Sequence, residues 1–122
     1  MIVGIGVDLV EVARLRKALA RRPALRERLF APAELEGLAG PGEFASLAAR
    51  FAAKEAARKA VGLAAGGTGW QDAQVRGGHG APPHLELSGR LLAAAMAQGA
   101  TRWHLSLAHE RDYAVAMVVI EA

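Results

Sequence analysis

The 122-residue sequence contains no cysteine. That excludes a disulfide framework, a thiolate zinc site and a cysteine nucleophile, and it suits a reducing cytosol. Aromatic residues make up only 5% of the chain. No apolar run approaches the roughly 20 residues a membrane span requires, because Arg and Lys interrupt the alanine-rich stretches. The opening run Met1-Ile-Val-Gly-Ile-Gly-Val-Asp8 lacks a basic segment and meets a carboxylate too early for a signal peptide. A cytoplasmic location is expected. No internal repeat or linker stretch is visible.

What is present reads as globular: 52% hydrophobic and 22% charged residues. The length suits one domain spanning 1–122, which buries roughly two thirds of its unfolded surface and needs no staple. The net charge of +3 is mild.

Ile2 to Val7 is a short strand with glycine at alternate positions, and Val10 to Ala20 has helical spacing up to the stop at Pro23. Ala24 to Leu38 is irregular or short-helical, with Pro32 opening a turn of helix before Glu34. Glu43 to Ala60 is the strongest helix, dense in Ala, Lys, Glu, Arg and Leu. A glycine-rich loop, Gly62 to Gly69, precedes short strands at Gln71–Arg76 and His84–Leu87. Ser88 is placed to cap a helix that Gly99 closes. Trp103–His109 and Tyr113–Ile120 form a hairpin around Glu110-Arg111-Asp112. This order predicts an α+β domain with a mostly antiparallel sheet and one long central helix.

Strand alternation puts Gly4, Gly6 and Asp8 on one face. Two missing side chains beside a carboxylate leave a floor where a ligand can approach the backbone. The competing reading, favoured for a lone Asp before a helix, makes Asp8 a cap. A dinucleotide fingerprint fails, because its third glycine would fall at Leu9.

Phe44, Leu47, Phe51 and Glu55 form one stripe of the long helix, so the core-facing stripe continues as a carboxylate. A buried carboxylate must be paired or metal-bound. An ion pair with Lys59, four residues on, would satisfy it. So would a role in holding a metal, and Arg50, Lys54, Arg58 and Lys59 flanking the stripe suit an anionic ligand beside Mg²⁺. A solvated charged face is the plainer account of those cations.

His104 and His109 point to opposite faces of one predicted strand and cannot share a metal. The same parity separates Ser106 from His109 and argues against a Ser–His–Asp triad with Asp112. His79 and His84 flank a turn and read as surface residues. Between residues 14 and 28, seven cations (Arg14, Arg16, Lys17, Arg21, Arg22, Arg26, Arg28) face the single acid Glu27. Such a helix can meet nucleic acid, an anionic membrane or an acidic protein. It carries no aromatic for base stacking, and its apolar residues Val12, Leu15 and Leu19 are needed by the core, so an acidic protein fits best of the three, with a solvated basic face as the other reading.

Three segments together resemble the holo-acyl-carrier-protein synthase family of small 4′-phosphopantetheinyl transferases. They are Gly4-Ile-Gly-Val-Asp8, Arg50-Phe-Ala-Ala-Lys-Glu55-Ala-Ala-Arg-Lys59-Ala, and Leu105-Ser-Leu-Ala-His109 with Tyr113-Ala-Val-Ala. The likeness runs over essentially the whole chain. The stretch from Gly62 to Gly69 is longer than is usual in the family, and the turn reads Gly80-Ala-Pro82 where Gly-Lys-Pro is common.

The resemblance implies transfer of the phosphopantetheine arm of coenzyme A to a serine of apo-acyl carrier protein, in fatty acid biosynthesis. It implies Mg²⁺ on Asp8 and Glu55, and charge neutralisation by Lys59. Arg50, Lys54 and His109 would contact the nucleotide end. Arg14, Lys17 and Arg21 would dock the carrier protein, with no nucleic-acid or membrane partner. It also implies a homotrimer with active sites between subunits. The competing reading is a non-catalytic nucleotide- or nucleic-acid-binding protein that uses the basic 14–28 helix and needs no Mg²⁺.

Overall fold

The computed structural model describes all residues but His79 and the side chains of Leu63 and Ala64. In chain order the elements are β1 (Ile2–Glu11), α1 (Val12–Arg21), α2 (Leu25–Leu29), α3 (Pro32–Leu35) and α4 (Glu43–Val61). Two 3₁₀ turns follow, Gly62–Ala65 and Trp70–Asp72, then β2 (Ala73–Gly78), β3 (Ala81–Leu87), α5 (Gly89–Ala97), β4 (Arg102–His109) and β5 (Tyr113–Glu121). Every strand pairing is antiparallel: β1-β5-β4 form one sheet and β2-β3 another. The expected α+β class with its long central helix is observed. The sheet is split in two, and Trp103 Nε1 ties the halves by donating to the Leu85 carbonyl at 3.0 Å.

α4 lies across the inner face of the three-stranded sheet, and its alanines set how close it comes. Ala52, Ala53, Ala56, Ala57 and Ala60 are buried there against Ala116, Val118 and Ile120 of β5. Gly4 and Gly6 are what allow the contact. A Cβ on Gly6 would sit 1.9 Å from the Ala56 carbonyl oxygen, and one on Gly4 would sit 2.0 Å from that of Ala60. The glycine face therefore receives a helix backbone. The open floor for a ligand expected from the sequence is filled by α4, another form of the close approach that strand glycines permit.

β1 also runs further than its glycine pattern suggested. Asp8, Leu9, Val10 and Glu11 pair with Ala116, Val115, Ala114 and Tyr113. The β5 ladder holds these residues extended, so α1 starts only at Val12, with Glu11 at its N-cap position. Asp8 lies in the middle of a strand and caps nothing. Ser88 likewise makes no side-chain cap for α5; the Asp72 carboxylate accepts from the Leu91 amide instead.

A second core cluster joins Val12, Leu15 and Leu19 of α1 to Phe30, Leu47 and Ala114. The other face of the three-stranded sheet has no cover among the described residues. Ile5, Val7 and Leu9 are 59%, 51% and 64% exposed there, beside Met117 and Tyr113.

Candidate functional site

Along β1, two residues advance about 6.6 Å, close to the roughly 6 Å that four residues advance along α4. Gly4 against Ala60 and Gly6 against Ala56 show the two elements running in opposite senses at this matched pitch. Asp8 is thereby carried toward the middle of α4. Helical side chains lean toward the helix N-terminus, so Glu55 and Lys59 lean toward Asp8. Lys59 Nζ donates to Asp8 Oδ1 at 2.9 Å and to the Val7 carbonyl at 3.2 Å. The hydrogen bond and the charge of Asp8 hold the Lys59 ammonium above the ordinary lysine pKa, and Glu55 adds a smaller push.

Asp8 and Glu55 line one cavity of about 630 Å³ between β1, α1, α2 and α4. Arg14 of α1 stands at it, and Leu25, Leu29 and Phe51 supply apolar wall. Glu55 is half-buried, not buried as its stripe implied, and forms no ion pair among the described residues. The Glu55–Lys59 bridge offered by their spacing does not form, because Lys59 is taken by Asp8.

Lys54 is not part of this group. Its Nζ donates to Glu34 Oε1 and to the Ala73 carbonyl, both at 2.7 Å, and only 1% of the side chain is exposed. Glu34 is completed by the amides of Ala31 and Val75. Burial lowers the Lys54 pKa and Glu34 opposes that fall. The expectation of a nucleotide contact from Lys54 gives way to an internal tie between α3, α4 and β2. The reason is angular: at about 100° per residue, Lys54 and Glu55 cannot share a helix face.

Arg50 likewise faces away from Glu55. Its Nη1 donates to the Ser46 carbonyl at 3.3 Å, and its buried Nε has no partner among the described residues. Burial lowers its pKa against the opposing charge of Glu34. His109 lines a separate recess of about 420 Å³ with Glu110 and Ala108. Leu9 and Tyr113 border both hollows. Within one chain, then, Asp8, Glu55, Lys59 and Arg14 come together, while Arg50, Lys54 and His109 do not join them. Lys17 and Arg21 are exposed along α1. Arg16 lies over the Phe44 ring, and Arg26 is paired with Glu43. His79 lies outside the described residues.

Two residues escaped the sequence reading. Glu34 carries the internal tie, and its only local sign was an acid three residues past Ala31 in a turn opened by Pro32. Trp70 walls the main cavity and stacks on Phe51 at 5.3 Å. Its sign was rarity, since the chain has only two tryptophans.

Two carboxylates from adjacent elements and a lysine locked to one of them form a donor set suited to transfer of a phosphorylated group. The family comparison agrees. Residues 4–118 match the family model of the 4′-phosphopantetheinyl transferase superfamily, and the chain belongs to that family. A holo-[acyl-carrier-protein] synthase from Beutenbergia cavernae is 51% identical over 121 residues, 99% of each chain. The crystal structure of holo-[acyl-carrier-protein] synthase from Neisseria meningitidis superposes with TM-score 0.84 at 32% identity, over 100% of both chains. That of a Bacillus anthracis holo-(acyl-carrier-protein) synthase in complex with CoA (3′,5′-ADP) superposes with TM-score 0.80 at 36% identity, over 100% of this chain and 98% of that one. Nothing in these comparisons supports the non-catalytic nucleic-acid-binding alternative.

Proposed function

We propose that residues 1–122 act as one holo-[acyl-carrier-protein] synthase domain, moving the 4′-phosphopantetheine group of coenzyme A to a serine of apo-acyl carrier protein. The serine oxygen bonds to the phosphorus next to the pantetheine as the bond from that phosphorus to the bridging oxygen breaks. Adenosine 3′,5′-bisphosphate leaves with the bridging oxygen and its electron pair, and the serine proton is released to solvent. The observation that carries the reading is Asp8 and Glu55 at one cavity, with Lys59 locked on Asp8.

The two carboxylates fit Mg²⁺, a hard cation that takes one or two carboxylates and otherwise keeps water and substrate phosphate oxygens. Glu55 is free of any internal ion pair among the described residues, and Asp8 gives only Oδ1 to Lys59. Bound there, the ion would supply charge neutralisation at the diphosphate. Lys59, protonated throughout the neutral range, adds positive charge where the leaving oxygen becomes negative. Arg50, with its orphaned Nε, and His109 are assigned to the nucleotide end. Arg14, Lys17 and Arg21 are assigned to docking an acidic face of the carrier protein, with no role for nucleic acid or membrane. We place the reaction in the cytoplasm, where the thiol of coenzyme A stays reduced.

The assembly proposed is a homotrimer. Its support is the uncovered apolar face of the β1-β5-β4 sheet, which a second copy would cover. Leu9 and Tyr113 continue that face into the hollow of His109. A subunit seated there brings His109 to a neighbour's site.

Incubation with apo-carrier protein, coenzyme A and Mg²⁺ should add one phosphopantetheine to the carrier by intact mass. Absence of the adduct overturns the assignment. Reversal of Arg14 and Arg21 to Glu should raise KM for the carrier protein roughly tenfold or more, two like-charge contacts replacing two attractive ones, and leave KM for coenzyme A unchanged. An equal loss for both substrates counts against docking on α1.

A further inference from the structure

Trp70 follows directly on the glycine-rich loop and turns one face of its indole to Phe51. Over the ring lies the guanidinium of Arg58, 4.8 Å from its centroid. This is not the partner that the helix offers. Arg58 stands three residues beyond Glu55, a spacing at which opposite charges normally pair. No such pair forms among the described residues, and Arg58 makes no hydrogen bond there either. Arg58, a half-buried residue, thus stands one turn from Glu55 with no side-chain hydrogen-bond partner among the described residues.

Its position joins two hollows. Trp70 walls the cavity of Asp8 and Glu55. Arg58 lines a neighbouring recess of about 470 Å³ with Lys59, Gly62, Ala65 and Gly66, and no carboxylate borders that recess among the described residues. An arginine seated on an aromatic ring keeps its donors directed at a planar or tetrahedral oxyanion, the arrangement that arginine supports and lysine does not. Keeping Arg58 on Trp70 also leaves Glu55 uncompensated and available.

We propose that Arg58, seated on Trp70, is a phosphate-binding residue that donates to the diphosphate of coenzyme A. The inference rests on the transferase reading above and adds to it a binding residue, Arg58, and the aromatic seat that positions it, Trp70. It also gives the loop beginning at Gly62 a purpose: Gly62 and Gly66 line the recess without side chains, beside the small Ala65.

The test compares wild type with Arg58→Ala, Arg58→Lys and Trp70→Leu, using coenzyme A and dephospho-coenzyme A. Loss of one charge-assisted hydrogen bond raises KM about tenfold. Arg58→Ala should show that rise for both compounds, with kcat changed much less and KM for the carrier protein unmoved. Arg58→Lys should recover only part of it, and Trp70→Leu should show the same KM-selective loss. Calorimetric titration of coenzyme A without carrier protein should show the same weakening in Arg58→Ala. Unchanged coenzyme A affinity in Arg58→Ala overturns the proposal. So does a loss confined to coenzyme A, which would put Arg58 on the 3′-phosphate. If wild type binds coenzyme A but forms no carrier adduct, the transferase reading fails by itself. If wild type forms the adduct and Arg58→Ala binds normally, only the present inference fails.

Discussion

Asp8 and Glu55 reach one cavity from two elements, so each should be individually indispensable. Replacement of either by Ala should cut transfer at least about 100-fold, the scale of several kcal/mol of charge stabilisation, while circular dichroism stays native. Full activity in either variant would end the metal assignment. The Asp8–Lys59 pair adds a pH signature. Because the Lys59 pKa is raised, the pair's contribution is complete below the ordinary lysine value and is lost as pH rises through the raised one. Asp8→Asn should therefore shift Lys59 titration, followed by NMR, to lower pH.

Glu34 and Lys54 call for a different test. Glu34→Ala leaves an uncompensated buried ammonium and should cost about 3–5 kcal/mol in urea denaturation. Glu34→Leu together with Lys54→Met should recover part of that loss, since it removes both charges and leaves the Ala31 and Val75 amides and the Ala73 carbonyl unpaired. Equal destabilisation in the single and double variants would show that packing, not charge, is at stake.

At the scale of elements, β1 against α4 sets the site. Gly6→Ala drives a Cβ to within 1.9 Å of the Ala56 carbonyl oxygen. Backbone cannot rotate out of the way as a side chain can. The variant should lose about 3 kcal/mol or more by overpacking and lose transfer with it, because Asp8 moves with β1. Native stability by calorimetry would refute the contact.

Most of the element order was legible, because it follows from local pattern: the Ala/Lys/Glu-rich run of α4, the glycines after helices, the hairpin of β4 and β5. What was not legible depends on partners distant in sequence. The length of β1 is fixed by Tyr113–Val115, and the role of Gly4 and Gly6 by Ala60 and Ala56. Asp8, Glu55 and Lys59 could be singled out by residue type and spacing, yet their pairing could not, since Lys59 had two acids to choose from. Lys54 looked like its neighbouring cations because nothing in the sequence places Glu34, twenty residues earlier, beside it.

At the scale of the molecule, the exposed apolar sheet face is the largest departure from a self-sufficient domain. Met117 is 48% exposed on that face and takes no part in the cavity of Asp8 and Glu55. Met117→Glu should convert the proposed homotrimer to monomer by light scattering, with transfer falling in step. A variant that remains trimeric would place the interface elsewhere.

The ladder between β1 and β5 bears on when the enzyme can exist at all. β1 leaves the ribosome well before β5, yet β5 is the only strand that pairs with β1 among the described residues. The two ends of the chain are stitched together, the Ala122 amide donating to the Met1 carbonyl at 2.8 Å. Asp8 is therefore without its β5 partner until residue 116 has been made. Contacts this distant in sequence close slowly. The strand that presents Asp8 to α4 is thus completed by a segment more than a hundred residues downstream, and assembly of the site waits on that pairing.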